Sequence, residues 1–376
     1  MANEQLHAAK TAKNDEFYTQ YSDIEAEMNA YIEYDKDVFR DKVILCPCDD
    51  PEWSNFTKYF ATRFETLGLK KLICTSYAKS AGNRQISEYE RNSPHFDEKK
   101  HFECGKIFIL DRDLNGSGRI DKDDIQWQYL EGDGDFRSEE VTRLRDEADF
   151  IITNPPFSLF REFLAWITEG NKKFAIIGNM NAITYKEVFP LIKDNQMWLG
   201  FNEGGSHKGN SMFFIVPSDY INSFVEETDG VRLMQTTGKW FTNIEYGKRH
   251  KPLQLMTMDD NLKYNKKLRK KLEKDYGSIR YPKYDNYEAI EVPISEAIPS
   301  DYDGVMGVPI SFLSKFCPEQ FEILETTERW SSMRTKKYTQ NEYEEANDMN
   351  ATWVVLIPNG YVKGFKRILI RRKQDA

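Results

Sequence analysis

The sequence predicts an α/β protein: a mostly parallel, doubly wound sheet followed by a C-terminal region of mixed α+β character. Three observations carry the prediction. From Lys42 onward, short apolar or β-branched runs alternate with amphipathic segments; several of those segments open on Ser or Thr and close on Gly; and the alternation fades after Pro217. Strands that alternate with helices pair in parallel and take helices on both faces, the Rossmann-like arrangement.

Residues 42–46, 71–75, 149–153, 173–178 and 196–200 read as strands, each an apolar run bounded by polar or glycine-containing sequence. Residues 54–67 read as a helix opened by Ser54 and closed by Gly68. Residues 138–148 form a second helix opened by Ser138, residues 158–168 a third opened by Ser158 and ending near Gly170, and residues 184–192 a fourth opened by Thr184. In such a sheet, ligands bind beyond the carboxyl ends of the strands, so chemistry is expected in the loops after Cys46, Thr75 and Thr153. Beyond Pro217 the sequence becomes aromatic, lysine-rich and punctuated by proline, which divides the chain into a first domain over 1–217 and a second region over 218–376.

A chain of 376 residues, 40% of them hydrophobic and 14% aromatic, is long enough for both parts. No apolar run approaches the roughly 18 residues of a membrane span, and Met1 to Lys13 is polar, so a soluble, cytoplasmic protein with no membrane partner is expected. The five cysteines are odd in number and lack C-x-x-C spacing. Neither a disulfide framework nor a metal site is therefore expected. The formal net charge of −9 speaks against a nucleic-acid partner, but the charge is uneven. Between Lys248 and Lys283 stand twelve Lys or Arg against four Asp or Glu, and from Tyr361 onward six basic residues against one acidic. One charge run is usually a solvated face; two in the same half favour a polyanionic partner.

The most informative stretch is Ile151-Ile152-Thr153-Asn154-Pro155-Pro156-Phe157, an apolar strand running into Asn-Pro-Pro-aromatic. A bare tetrapeptide of this kind is often only a strand-ending turn, but here it follows a buried strand and precedes a helix. The two prolines restrict the backbone, so the Asn154 side-chain oxygen and the Pro155 carbonyl can both accept from one amino group while Phe157 stacks on the ring that bears it. An exocyclic purine amine is a poor nucleophile because its lone pair is delocalised. Two acceptors on its hydrogens favour a tetrahedral nitrogen and free that lone pair. The pattern points to methylation of such an amine by a donor that is already activated, where positioning and electrostatics suffice and no His or Cys constellation is needed.

Several separated blocks resemble the EcoRI modification methylase family of adenine-specific DNA methyltransferases. They are Asn14 to Gln20, Cys48 to Pro51, Gly132 to Arg137, Thr153 to Phe160, Ile177 to Val188, Tyr281 to Tyr287 and Asp303 to Pro309. The resemblance implies a methyltransferase sheet that takes S-adenosylmethionine and transfers its methyl group to N6 of a flipped-out adenine in duplex DNA. Asn154, Pro155, Pro156 and Phe157 would be catalytic. Phe17, Tyr18, Thr19, Asp49 and Asp50 would cradle the cofactor with Asn154, while Asp135 and Phe136 contact its adenine ring. Residue readings that compete are a helix cap for Asp49 and Asp50, and a Gly-Asp turn for Asp133 to Phe136. The sequence has no G-x-G after the first strand and no acidic ribose ligand after the second, so the ribose contacts stay unassigned.

Order along the chain then makes 1–217 the catalytic domain and 218–376 the target-recognition region, with Lys248, Arg249, Lys251, Lys266, Lys267, Arg269, Lys270 and Lys271 expected on DNA phosphates. An aromatic from Phe213-Phe214 would cover the second face of the base, although a core strand is the better explanation of those residues. The resemblance also implies a monomer and a GAATTC-like target; the role is either host protection beside a restriction endonuclease that shares the site without being bound, or that of an orphan methylase. Competing readings are the same chemistry on RNA adenine or a protein glutamine amide, or a DNA-binding relative without catalysis; the intact Asn-Pro-Pro-Phe and the basic half weigh against them. Asp113 to Asp124 spaces its acceptors like a calcium loop, but position 12 is Asp and the flanks read as strands, so a polar hairpin turn is expected.

Overall fold

The computed structural model describes residues 18–50, 54–78, 91–202, 212–216, 225–228, 230–343 and 347–373. They form two compact units. Unit 1 comprises Met1–Met180 and Leu199–Gly247, and unit 2 comprises Asn181–Trp198 and Lys248–Ala376. This differs from the expected division at 217, and strand pairing explains why: the chain beyond Pro217 returns to build unit 1.

In unit 1 the strands are β1 (Tyr18–Thr19), β2 (Val43–Cys46), β3 (Lys71–Ser76), β4 (Lys106–Leu110), β5 (Gln126–Tyr129), β6 (Phe150–Thr153), β7 (Lys173–Asn179), the short β8 (Trp198–Leu199) at the unit boundary, β9 (Met212–Ile215), β10 (Val225–Thr228), β11 (Val231–Thr236) and β12 (Gly238–Thr242). The central sheet runs β5-β4-β3-β2-β6-β7-β12-β8. Its middle is parallel, β2 pairing with β3 and β6, and β6 with β7. Antiparallel partners flank it, β4 on β3 and β12 on β7. The sheet is therefore mixed. The four middle strands are nearly continuous runs of Val, Ile, Leu and Phe, as strands covered on both faces must be. A second, antiparallel sheet runs β1-β9-β11-β10.

The helices of unit 1 are α1 (Tyr21–Tyr34), α2 (Asn55–Thr62), α3 (Phe64–Leu67), α4 (Glu98–Glu103), α5 (Glu139–Glu147) and α6 (Phe160–Glu169). Ser54 caps α2 and Ser138 caps α5 as expected, accepting from the N–H groups of Phe56 and Val141 at 3.0 and 3.2 Å. The expected single helix over 54–67 breaks at Arg63, and Gly68 ends it in the left-handed conformation. Ser158 caps nothing: a 3-10 turn, Phe157–Leu159, leads directly into α6. The helix expected over 184–192 is shorter, α7 (Phe189–Lys193), because Pro190 suits only a first helical turn.

Unit 2 contains α7, α8 (Met258–Tyr264), α9 (Lys266–Tyr276), and strands β13 (Ile290–Glu291), β14 (Met306–Pro309), β15 (Phe321–Thr326), β16 (Val354–Ile357), β17 (Gly360–Lys363) and β18 (Arg367–Arg372). One sheet is ordered β13-β14-β18-β15 and one hairpin β16-β17. At its centre the fully buried Glu291 accepts from Arg367 Nη2 at 2.7 Å, from Tyr276 OH at 3.3 Å, and from Tyr284 OH. The Arg367 guanidinium also lies 5.0 Å from the Trp353 ring centre. Opposite Glu291 in register stands Gly307, where an added Cβ would come within 2.1 Å of the Tyr284 hydroxyl. The Tyr281 to Tyr287 and Asp303 to Pro309 blocks thus meet in this core.

Candidate active site

Among the described residues, the sequence-predicted site residues of unit 1 lie around the ends of the parallel strands. Beyond β2 the chain curls through Pro47 and Cys48 so that Asp49 N–H donates to Thr75 O at 2.9 Å, and Thr75 Oγ1 donates back to Pro47 O at 2.9 Å. Asp49 is buried, and its two carboxylate oxygens accept from two hydroxyls, Ser54 Oγ at 2.5 Å and Thr153 Oγ1 at 2.6 Å. Asp50 O accepts from Ser54 N–H at 2.7 Å, and the next residues, 51–53, lie outside the description. Asp49 is therefore no helix cap itself: it receives the hydroxyl of the Ser54 cap. In the β2 core below, burial pushes the Cys46 thiol up, with Cys74 adding to the effect.

Thr153 is the last laddered residue of β6, registered against Ile176 of β7. Asn154 follows half-buried, Pro155 is buried, and Pro156 and Phe157 are half-buried. Pro156 O accepts from Leu159 N–H at 2.9 Å, closing the turn into α6. The Phe157 ring meets the edge of Phe214, centroids 5.9 Å apart and planes at 63°. Phe214 is fully buried in β9, so it supports Phe157 from the core side, as the core-strand reading of Phe213-Phe214 expects.

The N-terminal block reaches the same place through β9. Thr19 pairs with Phe214, Gln20 Nε2 donates to Phe213 O at 3.0 Å, and Asn55 Nδ2, in the first turn of α2, donates to Thr19 O at 2.8 Å. The Thr19 hydroxyl is buried and has no hydrogen-bond partner among the described residues. Phe17 and the Tyr18 side chain lie outside the described residues.

The Gly132 to Arg137 block abuts the end of β3. Ala78 N–H donates to Asp133 O at 2.8 Å, and a Cβ at Gly134, whose φ is +81°, would lie 2.4 Å from Ser76 O. Only glycine allows that approach. Asp135 accepts Arg137 as a fork, Nε at 2.9 Å and Nη2 at 2.7 Å, and Arg137 continues to Glu162 at 2.7 Å. This acidic pairing raises the Arg137 pKa. Phe136 is 5% exposed, its ring packed edge-on against Phe163 and Trp166. It is a buried wall of this corner.

In unit 2, α9 buries Leu268, Leu272 and Tyr276 and turns Lys266, Lys267, Arg269 and Lys270 to solvent; Lys271 is partly covered and pairs with Asp275 at 3.1 Å. Lys248 and Lys251 are exposed. Arg249 departs from the expectation: it is 4% exposed, its guanidinium lies 3.8 Å from the centre of the Trp198 ring, and it donates to Asn195 Oδ1. A cation so enclosed holds unit 2 together and does not reach a phosphate. The basic cluster therefore loses that member.

Sequence reasoning missed Ser54, Asn55 and Thr153 as members of the site. The available signals were the hydroxyl that opens α2 and the one polar residue closing an otherwise apolar strand. The Asp113 to Asp124 loop joins β4 to β5, and its carboxylates accept from its own backbone: Asp124 from Leu114 and Asp121 N–H at 2.9 and 3.0 Å, Asp113 from Gly116 and Gly118 N–H, both at 2.7 Å. These bonds hold the Asp124 pKa below its usual value. A groove of about 630 Å³ runs along the β4–β5 hairpin past His95, Ile107 and Trp127, and none of the candidate residues lines it.

Known proteins resemble the chain along most of its length. A family profile described as "Adenine-specific methyltransferase EcoRI" matches residues 5–373. The Type II methyltransferase M.EcoRI of Escherichia coli is 45% identical over 327 residues, 86% of this chain and 89% of that one. M.MpnI of Mycoplasma pneumoniae is 30% identical over 383 residues, 99% of each chain, and M.MgeORF184P of Mycoplasma genitalium is 33% identical over 328 residues, 85% of each. No solved structure matches.

Proposed function

Since the chain belongs to the EcoRI family of adenine-specific methyltransferases and is itself an adenine methyltransferase, we propose that it transfers the methyl group of S-adenosylmethionine to N6 of one adenine in a specific duplex DNA sequence. The observation that carries this reading is the Asn154-Pro155-Pro156-Phe157 turn. It stands at the end of a buried parallel strand, beside the loops expected to hold a cofactor.

S-adenosylmethionine, when bound, supplies a methyl group already activated by its sulfonium charge. The strand ends fit such a group. The buried Thr19 hydroxyl lacks a partner among the described residues, the Gly134 backbone lies close to Ser76 O, and Asp50 and Asp135 would offer carboxylates to a cationic donor. Thr19, Asp50 and Asp135 would hold it, with Phe136 as a fixed wall.

The protein's share of the chemistry is then positional. The Asn154 side-chain oxygen and the Pro155 carbonyl accept the two N6 hydrogens, drawing the nitrogen toward tetrahedral geometry, and Phe157 stacks the base on a ring braced by Phe214. Because N6 is paired in a duplex, the adenine leaves the stack first. Lys248, Lys251, Lys266, Lys267, Arg269 and Lys270, all exposed in unit 2, supply phosphate contacts, which fits a target-recognition role for that unit. The Type II designation of M.EcoRI and M.MpnI supports a place in restriction and modification. No helix among the described residues is long and apolar enough to cross a membrane.

The test is transfer of a labelled methyl group from S-adenosylmethionine to plasmid DNA, followed by single-molecule mapping of modified adenines. N6-methyladenine at one short motif is the expected result. Label in RNA or protein, with none in DNA, overturns the duplex-DNA reading.

A further inference from the structure

We propose that Asp49 is a positioning residue for methyl transfer, which holds Asn154 in register by gripping the Thr153 hydroxyl. This rests on the reading above, in which Asn154 accepts from the target amino group. Thr153 is the last residue of β6 paired to β7, and two of the next three residues, Pro155 and Pro156, have no N–H with which to continue a ladder. The strand therefore releases the chain just before the residue whose side chain must be placed. Immediately before Asn154, the Thr153 side chain is fully buried and tethers the strand end to Asp49 at 2.6 Å.

Asp49 is itself held by two further bonds. Its N–H donates to Thr75 O in β3 at 2.9 Å, its second oxygen accepts from Ser54 Oγ at 2.5 Å, and Ser54 Oγ caps α2 by accepting from Phe56 N–H at 3.0 Å. The carboxylate thus joins the end of β6 to the start of α2, and the Asp49 backbone ties both to the end of β3. Hydroxyl-to-carboxylate bonds of this length are charge-assisted and directional, so they transmit position. Asn55 follows Ser54 directly and holds Thr19 O, so the same tie continues to the N-terminal block. Asp49 would in this way make the placement of Asn154 depend on the loops around the cofactor, a role distinct from touching the cofactor itself.

The test compares Thr153→Val, Thr153→Ser, Asp49→Asn and the double variant Asp49→Asn/Thr153→Val in the full chain. It reads kcat, cofactor Kd by titration with S-adenosylmethionine, and fluorescence of 2-aminopurine at the target position. Thr153→Val should lower kcat by about 10- to 100-fold, the factor set by one charge-assisted hydrogen bond. Cofactor Kd and base flipping should stay within about twofold of the parent, below the tenfold that 1.4 kcal/mol represents. Thr153→Ser, which keeps the hydroxyl, should recover most of the loss. The double variant should be no worse than Asp49→Asn alone, the non-additivity of a shared contact. Unchanged kcat in Thr153→Val overturns the proposal. So do additive losses, or an Asp49→Asn variant whose only defect is weakened cofactor binding. A parent protein that labels no adenine in DNA would instead sink the functional reading on which the proposal rests.

Discussion

Asp49 and Glu291 are both buried carboxylates served by stretches that resemble one family, but they are satisfied differently. Asp49 takes hydroxyl hydrogens from Ser54 and Thr153, joining a helix start to a strand end. Glu291 takes a guanidinium fork from Arg367 and two phenols, Tyr276 and Tyr284, with Trp353 beside the cation. The second arrangement closes on itself and locks a core. The first passes position along to the residue that follows Thr153. A resemblance to a family marks both kinds of residue equally; only their surroundings separate a residue kept for the fold from one kept for the reaction.

The comparison is sharpened by removing one member at a time, starting with the largest expected effect. Glu291→Gln should destabilise unit 2 by about 3–5 kcal/mol, because Arg367 is left buried without its counter-charge. Denaturant unfolding combined with hydrogen exchange over residues 281–309 would measure it, and a loss spread evenly over unit 1 would break the distinction. Asn154→Ala should do the reverse, leaving stability and DNA affinity near the parent while costing turnover about 2.7–4 kcal/mol, or roughly 10²–10³-fold. Single-turnover kinetics with saturating DNA reads this, and near-normal turnover refutes the role of Asn154.

Phe157→Ala removes one face of base stacking, expected to cost about 1–3 kcal/mol. The loss should shrink when the target adenine faces a mismatch, because less unstacking then has to be offset; an equal loss on both substrates would place Phe157 in the core alone. Smallest is the effect of neutralising Lys267 or Lys270 in α9. Each should reduce the slope of log affinity against log salt by about one, with kcat at saturating DNA unchanged. Arg249→Gln is the control: a buried cation should alter stability and leave the salt slope alone.

The parallel core was legible because β2, β3, β6 and β7 each hold a run of apolar residues, and the Asn-Pro-Pro-Phe turn because its residues follow such a run. α1 escaped notice for a physical reason. Its inward stripe of Ile24, Met28 and Tyr31 is interrupted by Asp23 and Glu27, both buried, and Glu27 is used to bind Phe201 N–H at 3.0 Å and Asn202 N–H at 2.7 Å. Buried carboxylates on a core face erase the periodicity by which a helix is read. The boundary at 217 failed because β10, β11 and β12 return to sheets begun long before, and pairing at such distance leaves no local signal. Arg249 failed because composition cannot distinguish an exposed cation from an enclosed one.

The chain enters unit 2 for residues 181–198, returns to unit 1, and leaves it again at Lys248. Residues from the short visit are built into unit 2: Phe189 packs on Trp330 with ring centroids 5.9 Å apart, and Arg249 lies on Trp198. A single genetic crossover between two relatives could therefore never exchange one unit whole. Any junction would join a segment from one parent to a core from the other, and a fragment starting at 248 would lack Phe189, Asn195 and Trp198. To move unit 2 whole, both of its segments, 181–198 and 248–376, would have to be exchanged together.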